Sequence, residues 1–124
     1  MHCLVVDDDA QVRHSLARVI QAHGLATVEA SSGTEALAIL ESQGEIPIVI
    51  SDIYMPEMDG WEFIQEFQKI RDKLTKNVEI HIITSSNHPK DITRAKTFVE
   101  VKSYLQKPVT LEALQDVVSN YNMA

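Results

Sequence analysis

Ile48-Val49-Ile50-Ser51-Asp52-Ile53-Tyr54-Met55-Pro56-Glu57-Met58-Asp59-Gly60 runs from an apolar, β-branched segment straight into one carboxylate and then into a turn. The apolar run fits a central strand buried on both faces, and parallel sheets place their ligand sites just outside the carboxyl ends of such strands. Asp52 falls at that end, which makes it the candidate reactive group. Pro56 fixes its own φ and pushes Met55 out of the helical region, while Gly60 can take a positive φ before the next helix. Taken alone, the stretch is equally compatible with an aspartate that merely closes a strand.

Upstream, Cys3 to Val6 is a short apolar run ended by Asp7-Asp8-Asp9, a first buried strand with carboxylates crowded at its end. Val12, Leu16, Val19, Ile20 and His23 then recur at helical spacing, and Gly24 stands where a helix stops. Thr27 to Ala30 forms a brief second strand. Ser32-Gly33-Thr34-Glu35 has the pattern of a capping box ahead of Ala36, Leu37 and Leu40, in a helix ending near Gly44. The third strand covers Ile46 to Ser51.

Downstream, Phe63, Ile64, Phe67, Ile70 and Leu74 mark a third helix, with Trp61 at its start open between core and surface. Val78 to Ile83 reads as a fourth buried strand running into Thr84-Ser85-Ser86. A loop over Asn87 to Asp91 leads to a helix through about Val99, the most weakly patterned, with Ile92, Ala95 and Phe98 inward. Ser103 to Gln106 is a fifth strand closed by Lys107-Pro108. Thr110 caps a last helix with Leu111, Leu114, Val117, Val118 and Tyr121 toward the core. Strict strand-helix alternation with right-handed crossovers predicts an α/β, flavodoxin-like, doubly wound parallel sheet of five strands in order 2-1-3-4-5, with five helices. That order sets strands one and three side by side where the winding reverses, at the crevice in which such sheets bind ligands.

The chain has 124 residues, 44% hydrophobic and 23% charged, which predicts one folded domain over residues 1–124 with no output domain. A net charge of −7 argues against nucleic acid as a partner, because neutralising phosphates needs a basic face. The single Cys3 excludes an internal disulfide, and no apolar run approaches the roughly 18 residues of a membrane span. The expected location is cytoplasmic.

Asp7 and Asp8 from strand one and Asp52 from strand three would bring several negative charges together, which is costly unless one protonates or a cation binds. An all-oxygen set with room for water suits Mg²⁺, or Mn²⁺ in its place, better than zinc. His2, His14, His23, His81 and His88 show no ligand-spaced pair. Thr84 and Lys107, each commonplace alone, would reach the same crevice with a hydroxyl and a fixed positive charge. A carboxylate nucleophile, a divalent ion and a cationic clamp are what phosphoryl transfer to an aspartate requires.

Val5-Val6-Asp7-Asp8-Asp9, Ser51 to Gly60, Ile83-Thr84-Ser85-Ser86 and Tyr104-Leu105-Gln106-Lys107-Pro108 occur in that order over nearly the whole chain. In this the sequence resembles the receiver domain of two-component response regulators, of the stand-alone, chemotaxis-regulator kind. The resemblance implies that Asp52 is the phosphoacceptor, and that Asp7, Asp8, Asp52 and the backbone carbonyl of Tyr54 hold the metal ion. It further implies that Thr84 and Tyr104 switch on phosphorylation, that Lys107 pairs with the phosphoryl group, and that Tyr54 and Ser86 tune its hydrolysis. The donor would be the phosphohistidine of a sensor histidine kinase or a histidine phosphotransfer protein, with Arg13 and His14 facing it by analogy. The surface of helix four, strand five and helix five would carry the output, to a partner protein or onward in a phosphorelay. Such a domain is not an enzyme on external substrates.

The segment Phe98 to Ser103 departs from the family in lacking the Ala-Gly pair many members carry before strand five. A haloacid-dehalogenase-like enzyme would need a Thr where Gln11 stands after Asp7-Asp8-Asp9-Ala10. A flavodoxin-like flavin carrier would need a phosphate-cradling loop where three aspartates instead repel phosphate. The alternative kept is a receiver-like module that binds proteins without being phosphorylated.

Overall fold

In a computed structural model, residues 2–43, 46–74 and 77–123 are described, with side chains to residue 119. The strands are β1 (His2–Val6), β2 (Ala26–Ala30), β3 (Ile48–Ser51), β4 (Glu79–Thr84) and β5 (Val101–Gln106). The helices are α1 (Ala10–Ala22), α2 (Gly33–Ser42), α3 (Gly60–Ile70), α4 (Pro89–Ala95) and α5 (Leu111–Met123), with a 3₁₀ turn over Arg71–Lys73. All pairings are parallel and the order is β2-β1-β3-β4-β5, as expected from the alternation of strand and helix signals.

The central strands β1, β3 and β4 are buried on both faces because the sheet is covered on both. Leu4, Val6, Val49, Ile80 and Ile82 meet Ala36 and Leu40 of α2, Phe63, Ile64 and Phe67 of α3, and Ala95 of α4. Their sequence neighbours Cys3, Val5, Ile48, Ile50 and Ile83 point the other way, onto Leu16 and Ile20 of α1 and Leu114 and Val118 of α5. Period-two alternation within the strands therefore divides one apolar run between two cores.

Local chemistry sets the helix ends. Asp9 caps α1 by accepting from the amides of Gln11 and Val12, and Gly24 follows its C-terminus at φ 93°, where a Cβ would be strained. At α2 only half of the expected capping box forms. Ser32 accepts from the Glu35 amide, but the Glu35 carboxylate takes the Ser31 hydroxyl instead. The full reciprocal box lies at α3, between Asp59 and Glu62. Thr110 caps α5 through the Ala113 amide, as expected.

Several expectations are corrected. Gly60 does not take a positive φ; the residue that does in this turn is Glu57, at 68°. Gly60 is required for want of space, since a Cβ there would lie 2.5 Å from the Asp52 carbonyl oxygen. Helix α4 stops at Ala95 rather than near Val99, which is 74% exposed. Strand β5 begins at Val101, two residues before Ser103. Leu111 is 55% exposed rather than in the core, and Leu74 follows the 3₁₀ turn instead of extending α3. Trp61 belongs to the core, stacked on Phe98 at 6.0 Å between ring centroids, with the Arg94 guanidinium 4.9 Å above its ring. Helix α2 ends at Ser42 with Gln43 as its C-cap, close to the expected end near Gly44, while the side chain of Tyr121 lies outside the described residues.

Where the family's Ala-Gly pair is lacking, the Val101 amide closes a turn onto the Phe98 carbonyl at 3.1 Å. Glu100 is buried there, and its carboxylate takes hydrogen bonds from Gln68 and Arg71. That satisfies a charge which would otherwise be costly to bury.

Candidate functional site

The sheet's hydrogen-bond ladder runs one residue past the strands and fixes where the polar residues emerge. The amide of Asp7 donates to the Ala30 carbonyl at 3.1 Å, that of Asp52 to the Val6 carbonyl at 3.0 Å, and that of Lys107 to the Thr84 carbonyl at 2.7 Å. Asp7, Asp52, Thr84 and Lys107 are thereby delivered to one edge of the sheet from four strands. Carboxylate oxygens of Asp7, Asp8 and Asp52 lie within 4.8 Å of one another.

Lys107 bridges this group, its Nζ donating to Asp7 Oδ2 at 2.8 Å and to Asp52 Oδ2 at 3.0 Å. It follows the fifth strand directly and precedes Pro108 across a cis peptide bond. The remaining oxygens are held by backbone, Asp7 Oδ1 by the Asp9 amide at 2.9 Å and Asp52 Oδ1 by the Ile53 amide at 2.7 Å. Asp8 is exposed at the rim.

Burial pushes the Asp7 carboxyl above its ordinary value even though Lys107 pulls it down. Burial alone would lower the Lys107 ammonium, but its hydrogen bonds to Asp7 and Asp52 hold it above the ordinary lysine value. A buried carboxylate that remains costly beside a lysine is a site that gains from a further cation. The donors are oxygens only, one of them at the exposed rim, which fits a hard divalent ion that retains water.

Arg13 has a role the sequence did not suggest. Its side chain is largely buried, donating to the Asp7 carbonyl at 2.9 Å and to Glu29 Oε1 at 3.1 Å, so it braces the β1–α1 loop instead of facing outward. His14 does remain exposed, with Nδ1 2.6 Å from the same Glu29 oxygen.

Thr84 is fully buried, and its hydroxyl oxygen accepts a long 3.4 Å contact from the Ser86 amide within its own loop. Tyr104 is half-buried, and its hydroxyl donates to the Ser86 carbonyl at 2.9 Å. The aromatic is thus already tied to the β4–α4 loop. Tyr54 is 57% exposed and donates its hydroxyl to Asp91, a residue sequence reasoning passed over because an acid in a helix's first turn is unremarkable there.

A family model described as response regulator receiver domain matches residues 3–119. The chain belongs to this family. Receivers are regulatory phosphoacceptor domains of two-component signalling, and this receiver has curated relatives of different lengths. It is 36% identical over 117 residues to the sensor kinase CckA of Brucella abortus, covering 93% of this chain but only 12% of the kinase. It is 30% identical to the two-component response regulator ORR12 of Oryza sativa subsp. japonica, covering 95% of both. Among solved structures, the chemotaxis protein CheY4 of Vibrio cholerae superposes with a TM-score of 0.82 at 28% identity, covering 96% of each chain. The receiver's described helices include none long and apolar enough to cross a membrane.

Proposed function

We propose that Asp52 of this receiver accepts a phosphoryl group from the phosphohistidine of a sensor histidine kinase or a histidine phosphotransfer protein. The observation that carries this is the convergence of three carboxylates at the ends of β1 and β3, two of which, Asp7 and Asp52, are bridged by the Lys107 ammonium. An oxygen of Asp52 attacks phosphorus, the phosphorus–nitrogen bond to the donor imidazole breaks with its electron pair returning to the ring, and an acyl phosphate remains.

Asp7, Asp8, Asp52 and the Tyr54 backbone carbonyl would hold Mg²⁺ or Mn²⁺. When bound, that ion supplies charge compensation for the phosphoryl oxygens. Lys107 can exchange its bond to Asp52 Oδ2 for one to a phosphoryl oxygen without leaving Asp7. The new group adds a charge of about −1.5 to −2 beside the existing carboxylates, so neighbouring donors are drawn toward it. Thr84 ends β4, and its hydroxyl would leave the Ser86 amide for the phosphoryl group. Ser86 also anchors Tyr104, so movement of this loop reaches the surface of α4, β5 and α5. That surface would then bind a downstream partner, or the phosphoryl group would pass onward in a relay. This reading keeps the cytoplasmic location expected from the sequence.

Tyr54 and Ser86 flank the site, and the Tyr54 ring is read as a shield against water. Tyr54→Ala is expected to lose phosphate faster than wild type; equal rates would remove the shielding role.

The deciding experiment is labelling with acetyl phosphate or phosphoramidate and Mg²⁺, read by intact mass. A gain of about 80 Da, one phosphoryl group, that needs both Mg²⁺ and Asp52 and is lost in Asp52→Asn supports the reading. A wild-type protein that takes no label overturns it in favour of a protein-binding module that is not phosphorylated.

A further inference from the structure

Tyr54 stands two residues after Asp52, and Ser86 two residues after Thr84. Their hydroxyls converge on one atom: Asp91 Oδ2 accepts from Tyr54 at 2.6 Å and from Ser86 at 2.5 Å. Asp91 lies in the first turn of α4. A single carboxylate oxygen therefore ties the β3–α3 loop to the β4–α4 loop and to the helix that follows. Ser86 is held further by the His88 amide, which donates to its Oγ at 3.2 Å, and by Tyr104 on its carbonyl.

Both bonds end on a carboxylate, and hydrogen bonds to an ionised acceptor are the stronger kind. An exposed tyrosine without such an anchor would sample several rotamers.

We propose that Asp91 is a positioning residue for the phosphoryl site, fixing Tyr54 and Ser86 as a fence at its mouth that slows attack of water on the acyl phosphate. This rests on the phosphoacceptor reading of Asp52. In the step that is slowed, a water oxygen attacks phosphorus and the bond from phosphorus to the Asp52 oxygen breaks. Its electron pair returns to the carboxylate, inorganic phosphate leaves, and the water proton passes to solvent. The plain alternative is that Asp91 only complements the N-terminal end of the α4 dipole.

The test loads wild type, Asp91→Ala, Tyr54→Phe and the double variant with phosphoramidate and Mg²⁺, removes the donor, and follows loss of the phosphoryl group by intact mass. Losing the anchor is worth about one hydrogen bond, so Asp91→Ala should raise the first-order rate of phosphate loss roughly two- to tenfold. Tyr54→Phe keeps the ring, removes the hydroxyl and should do the same. The double variant should be no faster than Asp91→Ala, because that substitution already breaks the bond that Tyr54→Phe removes. A dipole role alone would lower the melting temperature of Asp91→Ala and leave its rate at the wild-type value, which overturns the proposal. Effects that multiply in the double variant also overturn it. Tyr54→Phe decides the matter should Asp91→Ala not fold, since an unchanged rate there shows that fixing the Tyr54 ring does not slow the loss of phosphate. Wild type that takes no phosphoryl group defeats the phosphoacceptor reading and this inference together. Wild type that labels, with variants no faster, defeats this inference alone.

Discussion

Gly60 begins α3 against the end of β3, where a Cβ would meet the Asp52 carbonyl oxygen at 2.5 Å and the Ile53 Cα at 2.8 Å. Both are backbone atoms and cannot rotate away. Gly60→Ala should therefore cost about 1–3 kcal/mol of stability, as overpacking does, and should also slow labelling of Asp52 by displacing its peptide. A melting temperature within about 1 °C of wild type, less than the roughly 2–8 °C per kcal/mol that brackets a domain of this size, would show that the contact relaxes. Lys107 makes a second prediction at this scale, because its ammonium is what the Asp7 and Asp52 carboxylates share. Lys107→Ala leaves the buried Asp7 charge unpaired, so the variant should be less stable without divalent ions and gain more from added Mg²⁺ than wild type. Equal Mg²⁺-dependent shifts in melting temperature would contradict this.

The register of β4 and β5 sets His81 opposite Ser103 beneath α5. His81 Nδ1 lies 2.6 Å from the Ser103 hydroxyl, while Nε2 is buried without a hydrogen-bond partner, 3.5 Å from Glu79 Oε2. Burial lowers its pKa from the ordinary 6.5. A base whose folded pKa is depressed resists protonation only in the fold, so stability falls as pH drops through 6.5 toward the folded value and stays low below it. His81→Leu removes that proton and should flatten the melting temperature between pH 7 and 5, where wild type declines; parallel profiles would exclude His81 as the cause. The turn before β5 is held by a different device. Arg71→Ala should destabilise more than Glu100→Gln, because it strands a buried carboxylate with only Gln68, whereas the amide keeps a partner without the charge. Urea midpoints in the reverse order would contradict this account.

At the scale of the whole molecule, four strands contribute to a site that no single segment contains, so occupancy of the site and folding are linked. Mg²⁺ at about 100 times its dissociation constant should add roughly 2.7 kcal/mol to the unfolding free energy, provided the unfolded chain does not bind it. Thermal melts across a Mg²⁺ titration measure this directly, and Asp8→Asn should weaken the response; a flat titration would mean that the carboxylates do not hold the ion.

Much of this architecture is determined by the sequence alone. Apolar runs of four to six residues alternate with helical periodicity, and strand and helix periods are properties of the backbone that each segment expresses locally. Sheet order follows from handed crossovers, and a polar residue immediately after a strand's run emerges at that strand's end, which brings Asp7, Asp52 and Lys107 together at one end of the sheet. Tertiary structure alone decided which atoms meet. Gly60 is needed for a contact rather than a torsion, Leu111 lies outside the core despite its helical phase, and Arg13 turns inward to brace Asp7. Glu100 is buried because Arg71 and Gln68 reach it, and Asp91 gathers Tyr54 and Ser86 from loops distant in sequence. Periodicity tells a side chain which face of its element it occupies, but a hydrogen bond depends on distances of tenths of an ångström between segments that only the packed fold brings together.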